Sequence, residues 1–267
     1  MSTAPVTASA RDAAMPANWP CRAGFLALGL YTAYAVSTLD VTSERFFRGL
    51  TQGGQFLRRL WPPNLQPSKL ELMWSGLLES VEIAILATAI GVALSLPLGV
   101  LAARNLMPGW VSWTSRGLIA LFRSFHPVIV AILFVKAVGF GALAGILALI
   151  VASLGFVSKL FAEAIEEMNL GQVEAIRATG ASFWGVLAFG VAPQVMARFV
   201  GFAAYQLDSN LRNSTMVGIV GGGGIGAALF TAYQRFDYDF LMTILLAIIA
   251  IIMISELAST RVRKLFQ

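Results

Sequence analysis

Long apolar runs, separated by short polar and glycine- or proline-bearing segments, set the pattern of this 267-residue chain. No charged residue interrupts Glu82 to Arg104, Ala137 to Ser158 or Phe240 to Ser255. A helix that crosses the hydrocarbon needs about 20 mostly apolar residues, so each run predicts a membrane span. The short alternating strands of a membrane β-barrel are absent. The pattern predicts an all-α polytopic membrane protein with about six spans, near 23–39, 76–103, 111–138, 142–162, 195–217 and 239–259. Pro97 predicts a kink in the second span, and His126-Pro127 an interruption of the third. The 40–75 connection holds a weakly amphipathic stretch with Phe46, Leu50, Leu57 and Trp61 on one helical face. Gly53-Gly54 argues against a continuous helix there.

Composition agrees: 57% of residues are hydrophobic and 12% charged, against roughly 25% charged in soluble domains. The net charge of +5 carries no basic run interleaved with aromatics, so it does not indicate nucleic acid. Cys21 and His126 are each the only residue of their kind, which excludes a disulfide framework and a Cys/His metal site within the chain. Residues 1–22 read as a polar tail with no signal-peptide core. Placing that tail inside puts Arg104, Arg116, Lys159, Arg177, Arg198 and the Arg261-Val262-Arg263-Lys264 tail on the cytoplasmic side. The opposite side keeps Arg45, Arg48, Arg58, Arg59, Lys69, Lys136 and Arg235, so the positive-inside bias is weak.

Residues 163–193 form a turn-bearing interruption between two apolar spans. Gln172 to Thr179 predicts a short helix that Gly180 ends, Ser182 caps a second one at Phe183-Trp184, and Pro193 opens the fifth span. Lipid cannot satisfy such broken backbone, so the segment meets water or a partner protein. Glu174, Ala175, Gly180 and Pro193 resemble, in spacing, the EAA loop of ABC importer permeases, E-A-A, three residues, G, nine residues, I-x-L-P. Ile176, Gly190 and Ala192 depart from that pattern. The resemblance implies that this loop docks on a separate ATP-hydrolysing subunit and couples its motion to the membrane; the bland alternative is an ordinary amphipathic loop.

The fifth span is dense with polarity: Asp208, Asn210, Arg212, Asn213, Ser214 and Thr215. An intramembrane charge costs at least about 2.5–3.5 kcal/mol on insertion scales, so it faces a partner or a wet cavity. Asp208 and Arg212, four residues apart on a helix, suit an internal ion pair; Arg212 also suits an oxyanion on a translocation path, and the two readings are compatible. Gly221, Gly222, Gly223 and Gly224 follow as an unwound, hinge-like segment or a tight loop. Gly221, Gly223 and Gly226 match G-x-G-x-x-G only formally, because no strand–helix–strand unit surrounds them. No P-loop sequence occurs, which predicts no ATP site in this chain.

Asn210 to Thr215 followed by Val217 to Gly226 resembles the permease of phosphonate ABC importers, as do Arg123-Ser124-Phe125 and Lys159 to Ala164. The likeness covers roughly residues 70–260. His126-Pro127 and Asp208-Ser209 depart from it. It implies a type I importer permease core over 76–260, preceded by an extra span and a connection at 23–75 and followed by a tail at 261–267. It implies a translocation path and gate built from Arg123, His126, Asp208, Arg212, their polar neighbours and the glycine run. The cargo is then phosphonate, phosphite or hypophosphite, crossing a bacterial inner membrane. The partners implied are a second copy of the chain, an ATPase dimer holding ATP and Mg, and a periplasmic binding protein. Methionine-type permeases share the glycine run but not the intramembrane polarity. A stand-alone channel has no use for a docking loop, and a membrane enzyme has no catalytic cluster here.

Overall fold

The computed structural model describes residues 19–39 and 42–266, with side chains as far as Arg261. Two units are distinguished, residues 1–58 and 59–267. The first holds α1 (Trp19–Thr38) and nearly all of α2 (Ser43–Arg59). Most of the expected tail lies outside the described residues, but Trp19 to Arg22 already belong to α1. Contrary to expectation, α2 runs unbroken through Gly53-Gly54. Its apolar and basic residues segregate so cleanly that amphipathicity outweighs the ~1 kcal/mol that each glycine costs a helix.

The second unit contains α3 (Pro67–Ala102), α4 (Gly109–Ser124), α5 (Pro127–Val138) and α6 (Ala142–Glu166). They are followed by α7 (Leu170–Ala178), α8 (Phe183–Val186), a π-helical segment (Leu187–Val191) and α9 (Ala192–Ile219). Finally come α10 (Ile225–Gln234) and α11 (Tyr238–Phe266). Pro67 sits in the first turn of α3, where its missing N–H costs nothing, so the second span starts nine residues earlier than its apolar run alone predicts. Pro97 lies inside α3 without ending it.

Among the described residues, four helices are long and apolar enough to cross a membrane, over residues 67–102, 142–166, 183–219 and 238–261. The count reaches six if each of two bent pairs serves as one span. One of these is α4 with α5, bent by 87° at Phe125-His126, where the sequence predicts the break.

The α6 helix is the axis of the second unit: half of its most apolar window is buried, against 22% for α11. Small residues let α3 approach it closely. A side chain at Gly99 would bring a Cβ within 2.7 Å of the Phe161 ring, and one at Gly91 within 2.5 Å of the Ser153 Cβ. Two apolar clusters close the ends. At the end that carries the 163–193 loop, Val157, Phe161 and Ile165 of α6 meet Val173, Val186, Val191, Val195 and Phe199. At the other end, Leu77, Ile225, Phe240, Leu241 and Ile244 pack together, beside an ion pair of Lys69 with Asp237 at 2.6 Å.

Candidate functional site

The 163–193 loop holds two short helices, the first at Leu170–Ala178 rather than Gln172–Thr179, and one further feature. Asn169 caps α7 by accepting from the Gly171 N–H at 2.9 Å. Gly180 follows the helix with φ +79°, a conformation that a β-branched residue adopts only under strain. Ser182 caps α8 through the Gly185 N–H at 3.4 Å. The further feature is the π segment, which makes α8 and α9 one continuous helix. Pro193 accounts for it: in an α-helix its ring would clash with the Phe189 carbonyl, and it has no N–H to offer. The wider turn instead bonds the Ala192 N–H to the Leu187 carbonyl, and the Gln194 amide takes the Gly190 carbonyl at 2.7 Å.

Val173 is buried in the core while Glu174 and Ala175 are exposed, so that pair points away from the protein. Two of the three departures from the EAA pattern compensate each other. A Cβ at Gly190 would sit 3.4 Å from the Ile176 Cδ1, so a larger residue at 176 meets a smaller one at 190. Charges tie the loop to the spans: Glu167 pairs with Arg198 at 2.7 Å and Glu166 with Arg116 at 2.6 Å. Gln194 also holds the Asn169 N–H at 3.0 Å. Asn169 and Gln194 escaped the sequence reading, although an Asn before an apolar helix start is itself a capping signal.

At the opposite end the glycine run is unwound, as expected, and it is tightly held. Gly222, Gly223 and Gly224 are buried. Gly223 and Gly224 have φ of +79° and +73°, and side chains there would overlap Ala142 and the Ser80 hydroxyl respectively. The Gly221 carbonyl accepts from the Gly141 N–H at 2.9 Å, and Ser80 Oγ from the Ile225 N–H at 2.9 Å. The run therefore clasps α3, α6, α9 and α10 together at one point.

The polar residues of the fifth span divide by helical phase. Asn210 is fully buried; its amide donates to Thr88 Oγ1 and Ser153 Oγ at 2.9 Å each, and its carbonyl accepts from Gln206 at 2.9 Å. Ser214 is buried as well and donates to the Leu211 carbonyl. Neither lines an open face, contrary to their expected place on the path. The opposite face carries Arg212, half exposed, whose Nη2 donates to Asp208 Oδ2 at 3.0 Å. Asp208 is largely buried and accepts a second bond from Ser255 Oγ of α11 at 3.1 Å. Asn213 and Thr215 are half-buried, and Asn213 reaches Ser209 Oγ at 3.4 Å. Because Asn210 is level with Ser153, near the middle of α6, Arg212 stands near mid-depth of the helix bundle. Ser255, Gln206, Ser153 and Thr88 were not anticipated; nothing in the local sequence of α11 distinguishes Ser255.

Arg123 and His126 flank the bend of the broken span and are exposed. His126 is the cap of α5, its Nδ1 accepting from the Val128 N–H at 3.4 Å. Arg123 lies against Gly155, at the middle of α6, so it too reaches mid-depth.

Residues 95–267 match the family described as binding-protein-dependent transport system inner membrane component. This chain belongs to that family. Within it, the chain is 38% identical over 239 residues to the phosphite transport system permease protein PtxC of Stutzerimonas stutzeri, covering 89% of this chain and 86% of that one. It is 40% identical over 207 residues to the phosphate-import permease protein PhnE of Mycolicibacterium smegmatis. That alignment takes in 77% of this chain but only 39% of that longer protein. In fold, the permease is similar to a chain of an inward-facing structure of the MetNI methionine ABC transporter. The TM-score is 0.69 and the identity 23%, over 76% of this chain and all of that one. The permease is a multi-pass membrane protein of the importer fold.

Proposed function

We propose that this permease carries a phosphonate or a reduced phosphorus oxyanion, phosphite or hypophosphite, across a bacterial inner membrane as part of an ABC importer. Two copies enclose the path, since one bundle leaves Arg212 on an open face that lipid would not tolerate. A periplasmic binding protein delivers the anion, and a separate ATPase dimer, holding ATP and Mg, docks on Glu174, Ala175 and the Gly180 turn. This chain holds no nucleotide.

One observation carries the reading: near mid-depth an arginine faces outward, while its carboxylate partner is buried and fixed by a second helix. The guanidinium has five donors and gives one to Asp208, so the rest can meet an oxyanion in bidentate fashion. The phosphorus cargo named for the relatives PtxC and PhnE fits that chemistry.

The test is uptake of labelled phosphite by cells expressing the full importer. Arg212→Ala should lower uptake at least tenfold while the complex with the ATPase still assembles. Lost assembly would instead make Arg212 a structural partner of Asp208, and unchanged uptake would remove it from the path. Gly180→Val, which forces a β-branched residue to φ near +79°, should leave ATP hydrolysis but abolish its stimulation of uptake. Fully coupled uptake would end the docking assignment.

A further inference from the structure

A second basic feature lies on the docking-loop half of the bundle, where α3, α4 and α6 meet. A cavity of about 190 Å³ there is lined by Arg116, Arg123 and Lys159, with Ala102, Ile119 and Ala162 as apolar walls. At about 30 Å³ per water, it has room for a tetrahedral oxyanion with part of its hydration.

Two carboxylates answer three cations. Lys159 meets Glu163 at 3.3 Å across one turn of α6, and both side chains are close to half exposed. Arg116 Nε donates to the Ala102 carbonyl at 2.9 Å. Its Nη2 lies 2.6 Å from Glu166 Oε1, but out of line for a hydrogen bond, so that buried nitrogen keeps unspent donors. Glu166 is also engaged by the Arg104 N–H at 2.7 Å. Arg123 has no carboxylate within ion-pair distance among the described residues. The cavity therefore carries a surplus of positive charge, and its surplus is concentrated at its deepest member.

The arrangement is also directional. Arg123 packs at the level of Gly155, in the middle of α6; Lys159 is one turn closer to the docking loop, and Arg116 reaches Glu166 at the helix end. From Gly155 to Glu166 the rise is about 16 Å, half the thickness of the hydrocarbon. Three cations spaced along that distance offer an anion a new guanidinium or ammonium before it leaves the previous one.

We propose that this cavity is an oxyanion-binding site on the inner half of the path, with Arg123 as its principal ligand and Lys159 and Arg116 completing it. The proposal rests on the reading of the chain as an anion permease. Arg212 then receives the anion and the Arg123 site releases it toward the cytoplasm.

The test uses the assembled importer without its binding protein, in phosphatidylcholine nanodiscs, with radiolabelled phosphite in equilibrium dialysis. Saturable binding is expected, weakened at least tenfold by Arg123→Gln and by Lys159→Gln, and largely kept by Arg123→Lys, which preserves the charge. Absence of saturable binding, or equal binding by Arg123→Gln in a correctly assembled complex, would overturn the site. A repeat with phosphatidylglycerol in the disc separates a free anion from a lipid headgroup. Undiminished phosphite binding supports the proposal, and its loss to the anionic lipid overturns it. Uptake by the wild type and by Arg123→Gln is measured alongside, in cells expressing the full importer with its binding protein. Uptake that survives Arg123→Gln sinks this site alone, whereas no uptake of any phosphorus oxyanion by the wild type sinks the functional reading.

Discussion

Two polar clusters share α9 and are built on opposite rules. On the inner face, Asn210 and Gln206 join Thr88 and Ser153 in a buried, neutral network in which each amide finds partners. On the outer face, Asp208 and Arg212 form a charged pair with one member buried and the other exposed. A fully satisfied neutral network in a low-dielectric interior holds helices in one register. A half-exposed charge holds nothing as firmly, but it can exchange its partner. The difference separates what fixes the bundle from what can act on a ligand.

The comparison is broken most severely by Asn210→Asp. A buried carboxylate would replace an amide donor facing Thr88 and Ser153, at a cost above about 3 kcal/mol. The variant should fail to yield assembled complex, as read by purification with the ATPase; normal assembly would mean that the network does not hold the helices. Asp208→Asn tests the other face with nearly the same atoms. Assembly should persist while uptake falls about tenfold, because Arg212 loses the charge that orients it. If assembly fails too, the outer pair is as structural as the inner network.

A milder change is Ser255→Ala. It removes one of the two hydrogen bonds on Asp208, worth about 1 kcal/mol, and uptake should drop about fivefold with unchanged binding-protein affinity. No change would show that the α9 ion pair orients itself. The smallest effect is expected at His126→Gln. Its imidazole is an exposed cap rather than part of either cluster, so the pH profile of uptake should match the wild type. A shifted profile would give the bend a titrating role.

Much of this could be read from the sequence, and the limits are instructive. The spans follow from uninterrupted apolar runs, and the loop's turns follow from residues with strong local preferences: Gly180, Ser182 and Pro193. The polar run at 208–215 was visible as a whole, but not its division. Gln206, Asn210 and Ser214 recur at i, i+4 and so share a face, with Asp208 and Arg212 on another. Helical phase alone would have assigned them, once it was known which face meets α6. Other features depend on contacts between distant parts of the chain. Ile176 opposite Gly190, Ser255 beneath Asp208 and Arg123 against Gly155 carry no local signature, because their partners are set by helix packing.

The π segment before Pro193 alters angle rather than length. A π turn holds one residue more than an α turn, and one residue is about 100° of helical rotation. The surface presented by α7 and α8 is therefore dialled around the axis of α9 relative to where an unbroken α-helix would aim it. Deleting a single residue from Leu187–Val191 would shorten the helix by only about 1.5 Å, yet it would swing Val186 out of the core and turn the face of Glu174 and Ala175 sideways. Here an inserted residue works as a phase offset between the proposed docking helices and the span that carries Arg212.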